Sequence, residues 1–328
     1  MPSAWSSLKA TRPPRSCPSP PSNSRPLNGE VATMASINIA TLLQVALSGL
    51  ATGALYAIML LGVLIVYQVS KNINFAYGQT GMVAAFGSYW LYGENGWPIW
   101  LAVIAATAAA IVISALTDLL IIRRIGNRQG LDFVVTLGEL LLLTSLAEIV
   151  FGTSARSYLR LLSDISWTVD GVFINANDLL AVFLGIVLVV VGHFVLRHTT
   201  LGVSLRAAAE DADIAQSVGI PVPALRTWTW AVSGLLVSIA GMMFASRLSV
   251  SSFYMTPLVI NVFIAGMIGG LERYWPPILA AFFIALYQAF AIYFFGEAGG
   301  VPALFILVVA VLALMPKRFV DERNEARA

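Results

Sequence analysis

Ala40-Thr-Leu-Leu-Gln-Val-Ala-Leu-Ser-Gly-Leu-Ala-Thr-Gly-Ala-Leu-Tyr-Ala-Ile-Met-Leu-Leu-Gly-Val-Leu-Ile-Val-Tyr67 carries no charged residue and is longer than the ~20 residues needed to cross a bilayer. Similar apolar stretches follow at 73–92, 98–122, 133–152, 178–198, 226–250, 256–271, 275–296 and 301–315. The stretch at 256–271 is short and that at 73–92 is interrupted by Gly and Gln, so the expected count is eight or nine. With 58% hydrophobic and 11% charged residues and a mean hydropathy of +0.82, the 328-residue chain is far from a soluble domain. The fold class is all-α: a polytopic membrane protein of about eight to nine transmembrane or membrane-embedded helices, with membrane lipid as its surroundings.

Charge confirms that class and orients it. The net charge of +2 carries no implication of nucleic acid, because the basic residues sit in short clusters between apolar runs. Arg123, Arg124 and Arg128 form one cluster, Arg197, Arg206 and Arg226 a second, and Lys317, Arg318, Arg323 and Arg327 a third. An excess of positive charge marks cytoplasmic loops. Nine spans put all three clusters on that side and the N-terminus outside. Arg156 and Arg160 then fall in an external loop that they share with Asp164 and Asp170.

The chain divides into residues 1–33, a membrane domain over 34–320 and a tail at 321–328. The first 33 residues are rich in Pro, Ser and Arg without an apolar core, so they read as a disordered extension or a mis-assigned start. Met34 directly precedes the first apolar run, and Gly29-Glu30 is encoded by GGN-GAR, which resembles a ribosome-binding sequence; Met34 is the expected start. Cys17 is the only cysteine, which excludes an internal disulfide framework or a thiolate metal site.

One segment between spans has a different character. Gly202-Val-Ser-Leu-Arg-Ala-Ala-Ala-Glu-Asp-Ala-Asp-Ile-Ala-Gln-Ser-Val-Gly-Ile-Pro221 lies in a loop at 199–223. Arg206, Glu210, Asp213 and Ser217 line one helical stripe and Val203, Ala207, Ile214 and Val218 another, so the helix is two-faced: one stripe can dock while the other stays wet. Gly219 permits a left-handed cap, and Pro221 and Pro223 cannot continue the helix, so a single helix should stop near Val218. Such a helix either transmits force from a partner or lies on lipid headgroups.

Inside the spans, Gly49 with Gly53, Gly266 with Gly270, and Gly234 with Ser238 repeat the four-residue spacing of small residues that lets helices approach closely. Asn72, Asn74, Gln79, Glu139, Asn261 and Gln288 are polar groups costing on the order of 1–3 kcal/mol each in hydrocarbon unless partnered. Each amide either bonds a neighbouring backbone or faces a water-filled path. Glu139 is protonated, paired or facing water. Gly81–Trp90 and Gly266–Trp275 share a Gly-Met…Tyr-Trp pattern, the mark of an inverted repeat if both copies have one structure.

Absences narrow the function. No lysine follows a glycine, so there is no P-loop, and the two histidines, His193 and His198, do not form a His-Glu-x-x-His set. The sequence has no catalytic residues and no metal site by these patterns, and an enzyme is not expected.

Gly53-Ala-Leu-Tyr-Ala57, Asn72-Ile-Asn-Phe-Ala-Tyr-Gly-Gln-Thr-Gly-Met82 and the 202–220 segment resemble the permease subunits of branched-chain amino acid ABC importers, over about 37–316. The match is to the subunit with an Ile-Asn-Phe-Ala-His-Gly-like run. The resemblance implies that 202–219 docks onto the ATPase, through Gly202, Arg206, Ala207, Glu210, Asp211, Ala215 and Gly219. It further implies a second related permease, two cytosolic ATPase subunits that bind ATP-Mg, an external solute-binding protein and a place in the bacterial inner membrane, with no cofactor on this chain. Asn72, Asn74, Gln79, Glu139 and Asn261 are then candidates for the translocation path. Tyr77 stands where many relatives have His, Glu139 occupies an often apolar position, and relatives of this kind also carry urea or short amides. The alternative is a secondary transporter or channel working on a gradient.

Overall fold

The computed structural model describes residues 39–125, 131–158, 166–169 and 172–314. The expectations for 1–33, Met34, Cys17, Arg128, Arg160, Asp164, Asp170, the C-terminal basic cluster and the tail at 321–328 lie outside these described residues. The elements are α1 (Ile39–Ser70), α2 (Tyr77–Tyr89) with a π turn at Trp90–Glu94, and α3 (Ile99–Leu116) with a π segment at Thr117–Ile122 and a last turn, α4 (Arg123–Ile125). There follow α5 (Leu131–Phe151), β1 (Arg156–Ser157), β2 (Ser166–Val169), β3 (Val172–Asn175), α6 (Ala176–His198), α7 (Thr200–Glu210), α8 (Ala212–Ser217) and α9 (Val222–Arg247). The chain continues through β4 (Ser249–Val250), α10 (Met255–Gly269), α11 (Trp275–Phe295) and α12 (Glu297–Leu314). β1 pairs antiparallel with β4 and β2 with β3, two small ribbons in an otherwise helical protein.

Each apolar stretch of the sequence coincides with a helix. Six are long and apolar enough to cross a membrane: α1, α3 with its continuation to Ile125, α5, α6, α9 and α11. The α10 and α12 helices are shorter and apolar, and α2 gains length from its π turn. Contacts between helix ends define the direction of each pass. At one end Lys71 pairs with Glu272 at 3.5 Å, Arg226 with Asp118 at 2.7 Å, and Arg123 donates to the Pro223 carbonyl. At the other, Arg156 pairs with Glu94, Arg247 with Asp178 at 3.0 Å, Phe173 N donates to Gln44 at 2.7 Å, and β1 meets β4. These contacts sort the helix ends into two groups, one at each end of the bundle, among the described residues. Arg123, Arg197, Arg206 and Arg226 gather at the first end, which is the cytoplasmic one by their charge.

The centre of the bundle is α1, buried without interruption from Gly53 to Val66 and packed against α6, α9 and α11. A helix apolar on every side has no face to give to water, so it belongs inside. Buried residues make up 89% of the most apolar window of α1 and 78% of that of α9, against 22–28% for α3, α5, α6 and α11, which form the outer ring facing lipid or another subunit. Small residues bring the helices together. A Cβ on Gly53 would lie 2.7 Å from Phe282 of α11, and one on Gly234 would lie 2.6 Å from the Ala110 carbonyl of α3.

Two expectations are corrected. Gly270 is not a packing residue like Gly266: it has φ +81° and nothing near its Cβ position, and it ends α10. The same turn removes the inverted repeat. Gly81–Trp90 is helical throughout, whereas Gly266–Trp275 spans the end of α10, a turn and the start of α11, where Pro276 and Pro277 follow.

Candidate functional site

The α7–α8 element hangs at the cytoplasmic end, and its geometry differs from the single helix expected. Asp211 leaves the helix at φ −150° and ψ +110°, and its carboxylate accepts from Asp213 N and Ile214 N at 2.9 Å each. It caps a second short helix, satisfying amides that have no intrahelical partner. The break destroys the continuous spacing on which the two stripes rested. Buried residues are Gly202, Leu205, Ala208 and Ala215, while the apolar stripe stays largely in the open, with Val203 56%, Ile214 63% and Val218 72% exposed. Arg206, Glu210, Asp213 and Ser217 are exposed as well. Gly219 has φ +94°, the left-handed cap foreseen after Val218.

The element is nonetheless firmly seated. Thr199 caps α7 by accepting from Gly202 N at 3.3 Å. A Cβ on Gly202 would lie 2.2 Å from the Leu196 carbonyl oxygen, so only glycine fits this turn. Arg206 donates to that same carbonyl and closes the end of α6. Leu205, Ala208, Ala215 and Leu225 form a small core with Val69 and Leu196 around it, and burial of Leu205 alone contributes about 2 kcal/mol. Two grooves of about 740 and 770 Å³ flank α7; Lys71, Ala209 and Glu210 line both.

Directly after it in the chain, the start of α9 joins a charged cluster that the sequence alone did not reveal. Asp118, fully buried in the π segment after α3, faces Arg226 Nε at 2.7 Å and Arg123 Nε at 3.4 Å, and accepts from Thr227 Oγ1 at 2.5 Å. This ties the first turn of α9, directly after the α7–α8 element, to α3. Asp118 is a lone carboxylate in the 98–122 apolar stretch, and that isolation was the available signal.

At the external end a cavity of about 650 Å³ opens between α1, α9, α10 and α11, lined among others by Ser48, Thr52, Tyr56, Arg247 and Gln288. Asn261 Nδ2 donates to Tyr56 Oη at 2.8 Å and to Gln288 Oε1 at 3.0 Å. Of the candidate path residues, Asn261 is therefore the one joined to this cavity. Asn72 lines a cytoplasmic groove beside Asp132. Asn74 Oδ1 accepts from Ala76 N at 2.9 Å at the start of α2, and Gln79 donates to Thr256 at 3.3 Å. Glu139 touches Thr117 at 2.5 Å between α5 and α3, and Thr117 also lies 3.0 Å from the Ile113 carbonyl. Tyr77 is buried with its hydroxyl on the Met59 carbonyl at 3.0 Å, over Gly62.

Among the described residues, no group of three or more His, Cys, Asp or Glu side chains is placed to hold a metal ion.

Residues 45–315 match the family model for the branched-chain amino acid transport system / permease component. Among similar proteins are the probable branched-chain amino acid transport permease protein LivH of Methanocaldococcus jannaschii, 22% identical over 80% of this chain and 87% of the relative, and the high-affinity branched-chain amino acid transport system permease protein BraD of Pseudomonas aeruginosa, 24% identical over 84% and 94%. A solved structure, PsaBC from Streptococcus pneumoniae in complex with Fab, aligns at 12% identity and a TM-score of 0.49 over 84% of this chain and 94% of that chain.

Proposed function

Because this chain belongs to the branched-chain amino acid transport system permease component family, we propose that it carries branched-chain amino acids or a related small polar solute inward, as one permease of an assembly driven by separate ATPases. It is a transport permease component of an ABC importer, not a catalytic subunit, and a multi-pass inner-membrane protein. The observation that carries the coupling proposal is the α7–α8 element: rigidly seated on α6 and α9, yet presenting Val203, Ile214 and Val218 beside the charges of Arg206 and Glu210. Apolar side chains rimmed by charge on a water-facing element are what a protein partner covers.

In this reading two cytosolic ATPases bind ATP-Mg and dock beneath α7–α8, a second related permease packs on the outer helices, and an external binding protein delivers solute. Within this set of contacts, Ala207 and Asp211 support the docking surface, Ala215 and Gly202 seat it, and Gly219 ends it. Asn72, Asn74, Gln79 and Asn261 are proposed along the solute route, with Asn261 at the outer cavity and Asn72 at the cytoplasmic groove. Glu139 stands aside from both openings and is proposed to tune packing of α5 on α3.

The test is purification of the tagged chain in mild detergent, followed by reconstitution with whatever ATPase co-purifies. We expect an ATPase pair in the complex and leucine uptake that requires ATP. Uptake driven by an ion gradient without ATP, by the chain alone, overturns the proposal in favour of a secondary transporter.

A further inference from the structure

The outer cavity has a chemistry that its surroundings do not need for packing. Arg247 leaves the last turn of α9 with one edge on Asp178 Oδ1, 3.0 Å from Nε. Its other edge faces neutral oxygens: Nη1 on Thr52 Oγ1 at 2.9 Å, and Nη2 on the Ser48 carbonyl at 3.3 Å and Ser48 Oγ at 3.2 Å. A guanidinium has five N–H donors and binds a carboxylate more strongly than a hydroxyl, because both partners are charged. The cavity side of Arg247 is thus filled by exchangeable contacts, while Asp178, which is not part of the cavity lining, holds the group in place from behind.

The rest of the cavity suits a small amphiphilic solute. Its polar lining includes Tyr56 and Gln288, whose Oη and Oε1 lie 3.3 Å apart and both accept from Asn261 Nδ2 behind them. Phe244, Leu258, Ala285 and Ile292 supply an apolar wall. Further along α1, Met59 and Leu60 are fully buried. A neutral urea or amide offers the cavity-side N–H groups only another neutral oxygen, whereas a carboxylate gives them a charged acceptor.

We propose that this cavity is a solute site within the subunit, at which Arg247, with the Ser48 and Thr52 hydroxyls, binds the carboxylate of an aliphatic α-amino acid. The side chain of the solute lies against Phe244 and Leu258, and its ammonium group meets the Tyr56 hydroxyl oxygen. This rests on the reading that the assembly carries amino acids, and it locates where in this chain they are read.

The test uses the chain with its partner subunits in cells lacking other leucine uptake. Arg247→Gln should lower leucine uptake at saturating solute by tenfold or more, with unchanged membrane insertion and unchanged ATPase co-purification. The Asp178→Asn, Arg247→Gln pair, which leaves no unpaired charge, should remain as low. Recovery of the pair to within twofold of the wild type would show that Arg247 serves only the ion pair, and overturns the proposal. A binding readout separates site damage from solute loss. In a Cys17→Ser, Val45→Cys background, an impermeant thiol reagent should react at the cavity wall, and leucine should slow it at least threefold only while Arg247 is intact. Equal protection with Arg247→Gln, or no protection in either, contradicts the site. A wild-type assembly that takes up neither leucine, isoleucine nor valine refutes the amino-acid reading itself, before any variant is made.

Discussion

Helix α9 carries an arginine–aspartate pair at each end, and the two pairs have different surroundings. Arg226 meets Asp118 in a closed site where the carboxylate has no exposure, beside Arg123 and Thr227. Arg247, 21 residues on and so roughly 30 Å away along the helix, meets Asp178 at the edge of an open cavity where both side chains are 18% exposed. The chemistry is the same and the consequence is not. The Asp118 pair fixes the start of α9 to α3, with its carboxylate occupied by Arg226, Arg123 and Thr227. An open pair keeps one edge of its arginine available. The lesson is that a buried charge in a membrane protein reads as anchor or as site according to what lies next to it, not according to its residue type.

The largest effect should come from breaking the sealed pair. Asp118→Ala removes a fully buried carboxylate from Arg226 and Arg123, whose side chains are themselves 24% and 31% exposed, which costs about 3 kcal/mol because water can reach the stranded cations; thermal unfolding in detergent should show a large fall in the midpoint. Asp178→Asn at the open end should lower the midpoint far less, because water and Thr52 still reach Arg247. Equal losses at both ends would erase the distinction drawn here.

Next come the turns that seat α7–α8. Gly202→Val drives a side chain into the Leu196 carbonyl, and Gly219→Val places a β-branched residue at φ +94°, a strain of about 1–2 kcal/mol. Both variants should insert, and both should co-purify less ATPase, with Gly202→Val the more severe. The smallest effect belongs to Glu139→Gln. An amide can donate to Thr117 as an acid does, so stability should change by less than about 1 kcal/mol, and uptake of each amino acid should stay within twofold of the wild type. A strong change in uptake would return Glu139 to the solute route.

Much of this architecture was legible in the sequence, because the signals were one-dimensional. Uncharged runs such as 40–67 mark helices, and the clusters around Arg123 and Arg197 mark a side of the membrane. The left-handed Gly219 also followed from local rules. What was not legible depended on three-dimensional neighbours or on competition between local signals. Asp211 looked like one more charge on a helix, but its short side chain captures the amides of Asp213 and Ile214 and splits that helix in two. Arg226 looked like a topology marker and Arg247 drew no notice, since a sequence does not reveal that Asp118 and Asp178 wait on other helices. The polar residues of 72–79 drew notice by interrupting a span, yet Asn74 is occupied in shaping the start of α2. Ser48, Thr52 and Tyr56 escaped notice because small hydroxyls in an apolar run are common and gain meaning only beside Arg247.

The central claim is that α7–α8 is a surface presented to an ATPase, and it is tested most directly by the Ile214→Asp, Val218→Asp double variant. Both side chains are exposed in this chain, so the variant should insert and unfold like the wild type. Quantified co-purification should show at least tenfold less ATPase and a matching loss of ATP-driven leucine uptake. Undiminished ATPase in the complex and undiminished uptake would contradict the account, because the surface it assigns to the partner would then be covered by nothing.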